Sequence, residues 1–136
     1  MSDSTKAIVR RFYDLYNQAA WDELGELMSP GYVHHSNDDA LSRAQFMRGA
    51  AWVRAGMPDF QMEIADMLAE GDRVAVRFVG RGTHLGSLYG ETPTSNAVVL
   101  YGLYIVRIED GLIQEDWEAL DENDLKRQIG AIDEAG

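Results

Sequence analysis

The second half of this chain reads as strand after strand. Phe60 to Glu70, Arg73 to Gly82, Ala97 to Ile108 and Leu112 to Ala119 are rich in β-branched and aromatic residues. Short turn signals, Gly71-Asp72 and Glu109-Asp110-Gly111, join the first two runs and the last two. Two hairpins follow, and an antiparallel sheet of this kind must bury at least one face. The cover has to come from the first half. There Ile8, Phe12, Leu15 and Tyr16 recur at three- and four-residue spacing, which predicts a helix over Ser4 to Asn17. A short second helix, Trp21 to Met28, carries Trp21, Leu24, Leu27 and Met28 on one side and is closed by Pro30-Gly31. Tyr32 to His35 reads as a short strand followed by a polar loop. Ser42 with Gln45 three residues on has the form of a capping box, and the helix it opens runs to about Ala55. A last helical stretch, Asp124 to Ala131, carries Leu125 and Ile129.

Helices first and sheet afterwards predict an α+β fold, with the helices over one face of a strongly curved antiparallel sheet. The 136 residues, 46% of them hydrophobic, suit one domain spanning 1–136. Without cysteine there is no disulfide framework, thiol nucleophile or cysteine-ligated metal, and a reducing, cytoplasmic setting is expected. The formal net charge of −11, with Lys and Arg scattered, argues against nucleic acid and anionic membrane surfaces as partners. No apolar run approaches the ~20 residues needed to span a bilayer, and the amino terminus does not read as a signal peptide.

Chemistry must therefore come from the strands. In LIQEDWEALD, alternation places Asp116 and Glu118 on one face and Glu115 and Trp117 on the other, with Asp121 beyond the strand in position to cap the final helix. A three-residue turn would set Asp116 opposite Tyr104, and a two-residue Asp-Gly turn would set it opposite Ile105. Tryptophan is a core marker, so Trp117 inward with Asp116 in water is one reading. The other puts Asp116 inside a cup made by Tyr16, Leu24, Phe46, Val76 and Phe78. Burial there would disfavour its charged form, the condition for shuttling a proton near neutral pH. Of the adjacent His34 and His35, only one can face such a cup, and neighbours pointing apart cannot readily share a metal, so no metal site is expected. No Gly-x-Ser-x-Gly elbow occurs, and Gly80-Arg81-Gly82 lacks the setting of a dinucleotide-binding loop.

The segments GYVHH, GDRVAVRFVGRGTHLG, ETPTSNAVVLYGLYIVRIEDG and LIQEDWEALD resemble the SnoaL-like polyketide cyclase family of the nuclear transport factor 2-like superfamily. That resemblance implies a cone-shaped, cystatin-like α+β barrel: a curved sheet wrapped around the N-terminal helices, with a deep apolar pocket and often a homodimer through the outer side of the sheet. It also implies cofactor-independent acid/base chemistry on a small apolar or aromatic carbonyl compound. The reaction would be an intramolecular aldol condensation of a polyketide ester, or a related isomerisation, with Asp116 as general acid/base. His35, Tyr104 and His84 would be its polar support. Two departures from the family stand out: Ser95 where glycine is usual after Thr94, and Gly102, which leaves space where a polar residue would help bind a ketone. A non-catalytic binder of a small apolar ligand, or a hydrolase or hydroxylase of the same superfamily, is the alternative.

Overall fold

The computed structural model describes residues 2–132. Its elements, in chain order, are α1 (Ser2–Asn17), α2 (Trp21–Glu26), β1 (Met28–Ser36), β2 (Asp39–Ser42), α3 (Arg43–Gly56), β3 (Gln61–Glu70), β4 (Arg73–Thr83), β5 (Ala97–Glu109), β6 (Leu112–Leu120) and α4 (Glu122–Gln128). One six-stranded sheet in the order β2-β1-β6-β5-β4-β3 carries them. The expected α+β architecture is present, and the sheet is curved with helices on its inner side. Among the described residues, no helix is long and apolar enough to cross a membrane.

The sheet differs from the purely antiparallel expectation in one pair. β1 lies parallel to β6, with His34 opposite Asp116 and His35 opposite Trp117. The stretch read as a polar loop forms β2, which hairpins back on β1 through Ser36 opposite Asp39. Pro30-Gly31 does not end α2, which stops at Glu26; both residues sit in a register break of β1 between Met28 and Val33. A proline lacks the N–H a regular ladder needs, so an irregular stretch is where a strand tolerates it. The capping box at Ser42 and Gln45 is formed, and Asp121 caps α4 by accepting from the Asp124 N–H.

The β5–β6 register matches neither alternative drawn from the sequence. Asp110 and Gly111 form a two-residue turn, both with positive φ (56° and 75°), as a turn compatible with strand twist requires. Ile108 then faces Ile113, but Arg107 faces Glu115, so Gln114 is an extra residue, a β-bulge. The bulge turns Ile113 inward together with Asp116, and Asp116 lies opposite Val106 rather than Tyr104 or Ile105. Tyr104 faces Glu118.

The core is built from Val9, Phe12, Tyr13 and Tyr16 of α1, packed with the alternate residues Val74, Val76 and Phe78 of β4 and Val98, Leu100, Tyr104, Val106 and Ile108 of β5. α1 and α3 do not fill the concave side completely, and the space left over holds the site.

Candidate active site

Strand alternation delivers three titratable side chains to the same spot on the inner face. β1 contributes His34; β6 contributes Asp116 and, two residues on, Glu118. His34 Nδ1 lies 2.5 Å from Asp116 Oδ1, and its Nε2 lies 3.4 Å from Glu118 Oε1. The second oxygen of Asp116 accepts a 2.6 Å hydrogen bond from the Tyr32 hydroxyl. The side chains are 5% exposed for His34, 2% for Asp116 and 13% for Glu118. A carboxylate pair gripping both ring nitrogens favours the doubly protonated imidazole. Burial by itself would lower the His34 pKa, but the hydrogen bonds and charges of Asp116 and Glu118 outweigh it and push it up to about 9. Burial, together with the charge and hydrogen bond of Asp116, holds the Tyr32 phenol far above its ordinary value, so Tyr32 stays protonated and donates to Asp116.

These groups stand at the wall of a cavity of about 290 Å³ between the helices and the sheet. Its sides are aromatic and aliphatic, from Tyr16, Phe46, Phe60, Phe78, Leu100 and Tyr104 among others, and Trp52 and Tyr89 also line it. His34 and Glu118 line the cavity, whereas Asp116 does not: it sits behind His34 and borders a separate internal void of about 10 Å³ with Tyr13 and Ile113. The Tyr104 hydroxyl is carried on a ring that lines the cavity and is almost fully buried. Burial holds it protonated, with the charges of Glu118 and Asp116 adding to the effect. It is a donor facing a ligand space.

Of the residues anticipated from sequence, Tyr16, Phe46, Phe78 and Tyr104 do line this cavity. Leu24 and Val76 are instead fully packed core residues beneath its walls. His35 is a correction. It points to the outer face, where its Nε2 lies 2.6 Å from Glu115 Oε2 and its ring stacks on Trp117 at 5.3 Å. Odd and even positions of one strand cannot share a face, so His34 takes the inward place. His84 is also away from the cavity. It is fully buried, with Nδ1 2.9 Å from the Thr94 hydroxyl and its backbone paired to Asn96, so it ties down the two ends of the 84–96 loop.

The two departures are absorbed locally. Ser95 adopts the left-handed conformation (φ 62°) that a glycine would hold at less cost. The space at Gly102 is not open to a ligand, because the Phe78 ring fills it. Two residues escaped the sequence reading. His34 was passed over for His35, which the resemblance implied, until the parallel pairing with β6 showed which of the two faces inward. Glu118 was grouped with Asp116 by alternation, the signal that should have singled it out.

A family model described as SnoaL-like polyketide cyclase matches residues 6–129. The chain belongs to the SnoaL-like polyketide cyclase family. Among curated relatives, it is 25% identical over 129 residues to the aklanonic acid methyl ester cyclase DnrD of Streptomyces peucetius, covering 90% of this chain and 88% of the relative. Among solved structures it is similar to AclR of Streptomyces galilaeus, a candidate hydroxylase, with a TM-score of 0.91 and 27% identity over 98% of this chain and 85% of that one. It is likewise similar to IdmH of Streptomyces antibioticus, a candidate polyketide cyclase, with a TM-score of 0.83 and 27% identity over 93% of this chain and 98% of that one. For this SnoaL-like chain, then, the fold and the family agree, and the inner-face cluster is where it differs from a plain apolar pocket.

Proposed function

We propose that this protein is an acid/base enzyme that closes a ring in a small apolar or aromatic carbonyl compound by intramolecular aldol condensation, using side-chain proton transfer alone. The observation that carries the reading is the contact between Glu118 and His34, a carboxylate and an imidazolium side by side at the wall of an otherwise apolar cavity. A base and an acid, both within reach of one bound molecule, are what an aldol step needs. Glu118 takes a proton from the carbon next to a carbonyl. The resulting enolate oxygen is met by the Tyr104 hydroxyl, a fixed donor in a dry site. The enolate carbon attacks a second carbonyl of the same molecule, and the alkoxide formed there receives the Nε2 proton of His34. Glu118 then returns its proton to His34 across their direct contact, and the site is reset. Asp116, placed behind the ring, is the positioning group: it holds Nδ1–H and keeps Nε2 aimed at the cavity.

The test uses aklanonic acid methyl ester, the compound in the names of the curated relatives. Incubation with the protein is expected to give a product of unchanged mass with one more ring. Glu118→Gln and His34→Gln are each expected to slow it by about 10²–10⁴-fold. Full turnover in Glu118→Gln would sink the mechanism. The likeness to AclR favours one second reading, hydroxylation of an aromatic ligand in the same cavity. A product that has gained one oxygen atom would select it.

The outer face of the sheet supports a homodimer. Leu68, Ala75, Ile105, Trp117 and His35 form one cross-strand row, each opposite the next. Leu68 is 70% exposed, and Leu103, Ile105 and Tyr101 extend an apolar surface that a soluble monomer rarely presents. Flanking rows carry both signs, including Glu70, Arg73, Arg107 and Glu115, on a chain that is otherwise acidic. A second copy offers this face both its apolar and its charged complement. Native mass measurement is expected to give twice the chain mass, and Ile105→Arg to give the monomer; a monomeric wild type would reject the pairing.

A further inference from the structure

Phe78 and Gly102 are directly opposite one another on β4 and β5. A Cβ on Gly102 would run into the Cζ and Cε1 atoms of the Phe78 ring, and it would also crowd the carbonyl oxygen of Ala119 on β6 at 3.2 Å. The ring therefore lies over the bare backbone of Gly102, taking the place of the missing side chain. The neighbouring pair repeats the device, since a Cβ on Gly80 would meet the Phe60 ring. Phe60 and Phe78 both line the cavity, and Phe78 packs against Tyr104 at 5.3 Å between ring centres.

We infer that the seating of Phe78 on Gly102 sets the depth of the cavity, and with it the number of fused rings a ligand can carry. Where a glycine lets an aromatic ring sink into the sheet, the inner wall recedes by the thickness of a side chain. A side chain at 102 cannot share this space with the ring, and the ring borders the cavity, so displacing it takes up ligand space. The inward walls around this point are Phe46, Tyr104 and the His34 ring, at 5.0 Å from Phe46 and 5.9 Å from Tyr104. Flat, uncharged polycycles are the ligands such walls accommodate, because ring faces and edges pack on aromatic walls without unpaired polar atoms. This deepens the proposed ring-closure reading and rests on it for the placement of the reacting carbonyls, but the depth claim concerns binding alone.

The experiment measures affinity for hydroxylated quinones of two, three and four linear rings, juglone, 1,8-dihydroxyanthraquinone and a hydroxylated naphthacenequinone, by isothermal titration calorimetry on the intact chain. Phe78→Leu is expected to bind the next larger ring system about tenfold more tightly relative to the smaller, and Gly102→Ala about tenfold more weakly. An unchanged ring-size order in both variants overturns the inference. Core changes can unfold a protein, so the crystal structure of Gly102→Ala gives an independent reading. A Phe78 ring displaced into the cavity supports the inference, and a ring left in place against a shifted β5 overturns it. If none of the quinones binds the wild-type protein, the polycyclic ligand class falls, and that structure alone decides the depth claim. Quinone binding by a wild-type protein that closes no ring in aklanonic acid methyl ester would instead count against the aldol mechanism and leave the depth claim standing.

Discussion

The same two strands build two histidine–carboxylate pairs, one residue apart, on opposite faces of the sheet. Inside, His34 meets Asp116 at 2.5 Å; outside, His35 meets Glu115 at 2.6 Å. The distances are nearly equal and the surroundings are not. His34 and Asp116 are almost wholly buried, with a second carboxylate, Glu118, on the far ring nitrogen. His35 and Glu115 are 31% and 26% exposed, and Glu115 shares its charge with Arg107. The hydrogen bond from His35, with that of Arg107, holds the Glu115 carboxyl below the usual range, while its partial burial works the other way. Water and a guanidinium already satisfy the outer pair. The inner pair has Tyr32, Glu118 and whatever enters the cavity, with little water, and in the proposed mechanism its proton is the one that moves.

Exchanging the histidines should separate the faces most sharply. His34→Gln is expected to cost about 10²–10⁴-fold in kcat for ring closure, and His35→Gln to leave kcat within about threefold, measured by product formation under saturating substrate. Equal losses would mean that the outer face, through a partner subunit or otherwise, also serves the reaction.

Asp116→Asn comes next. Removing one charge from a buried pair costs about 3 kcal/mol. The amide keeps the Tyr32 hydrogen bond but turns an N–H toward His34 Nδ1, which must then accept, so the ring gives up its Nδ1 proton and becomes a neutral imidazole with Nε2–H on Glu118. Urea unfolding should register the loss, and the imidazole resonance should titrate at lower pH than in the wild type. A normal unfolding midpoint would show that the inner pair contributes little to the fold.

The wild-type stability should itself depend on pH in a direction the inner histidine fixes. Its folded pKa of about 9 lies above the ordinary histidine value. The protonated form is the one the fold favours, so the contribution is complete below an unfolded pKa of about 6.5 and is lost as pH rises through 9. On the order of 3 kcal/mol should disappear across that window, and the loss should be absent in His34→Gln. Flat stability from pH 6.5 to 10 would contradict a charged His34.

How much of this was legible depends on what each feature rests on. β5 declares itself through strict alternation, and α3 through the Ser42–Gln45 box; both depend on neighbours in sequence. Asp116 could be set apart from Glu115 and Trp117 for the same reason. The choice between His34 and His35 could not, because it depends on β1 lying parallel to β6, a pairing across eighty residues that no local pattern encodes. The bulge at Gln114 was invisible for a related reason: the Asp110-Gly111 turn fixes where the strands start to pair, and packing of Ile113 against the core decides where the extra residue goes. Gly102 was misread because a glycine's vacancy can be filled from the opposite strand.

The smallest effect expected is on the outer pair, and it tests whether exposure alone explains the contrast. Glu115→Gln keeps the shape and a hydrogen bond to His35 while deleting the charge that Arg107 and His35 share. Water can hydrate the guanidinium and the imidazole once the carboxylate is gone, so the monomeric sheet should lose less than about 1 kcal/mol. In the assembled dimer the same face would be covered, and the identical substitution would then leave Arg107 short of a counter-charge in a dry interface. The comparison therefore calls for Glu115→Gln unfolding at two protein concentrations, and in an Ile105→Arg background. A cost that grows when the chain associates and vanishes in the Ile105→Arg protein would mean that burial, rather than the pair's own geometry, is what separates the inner face from the outer.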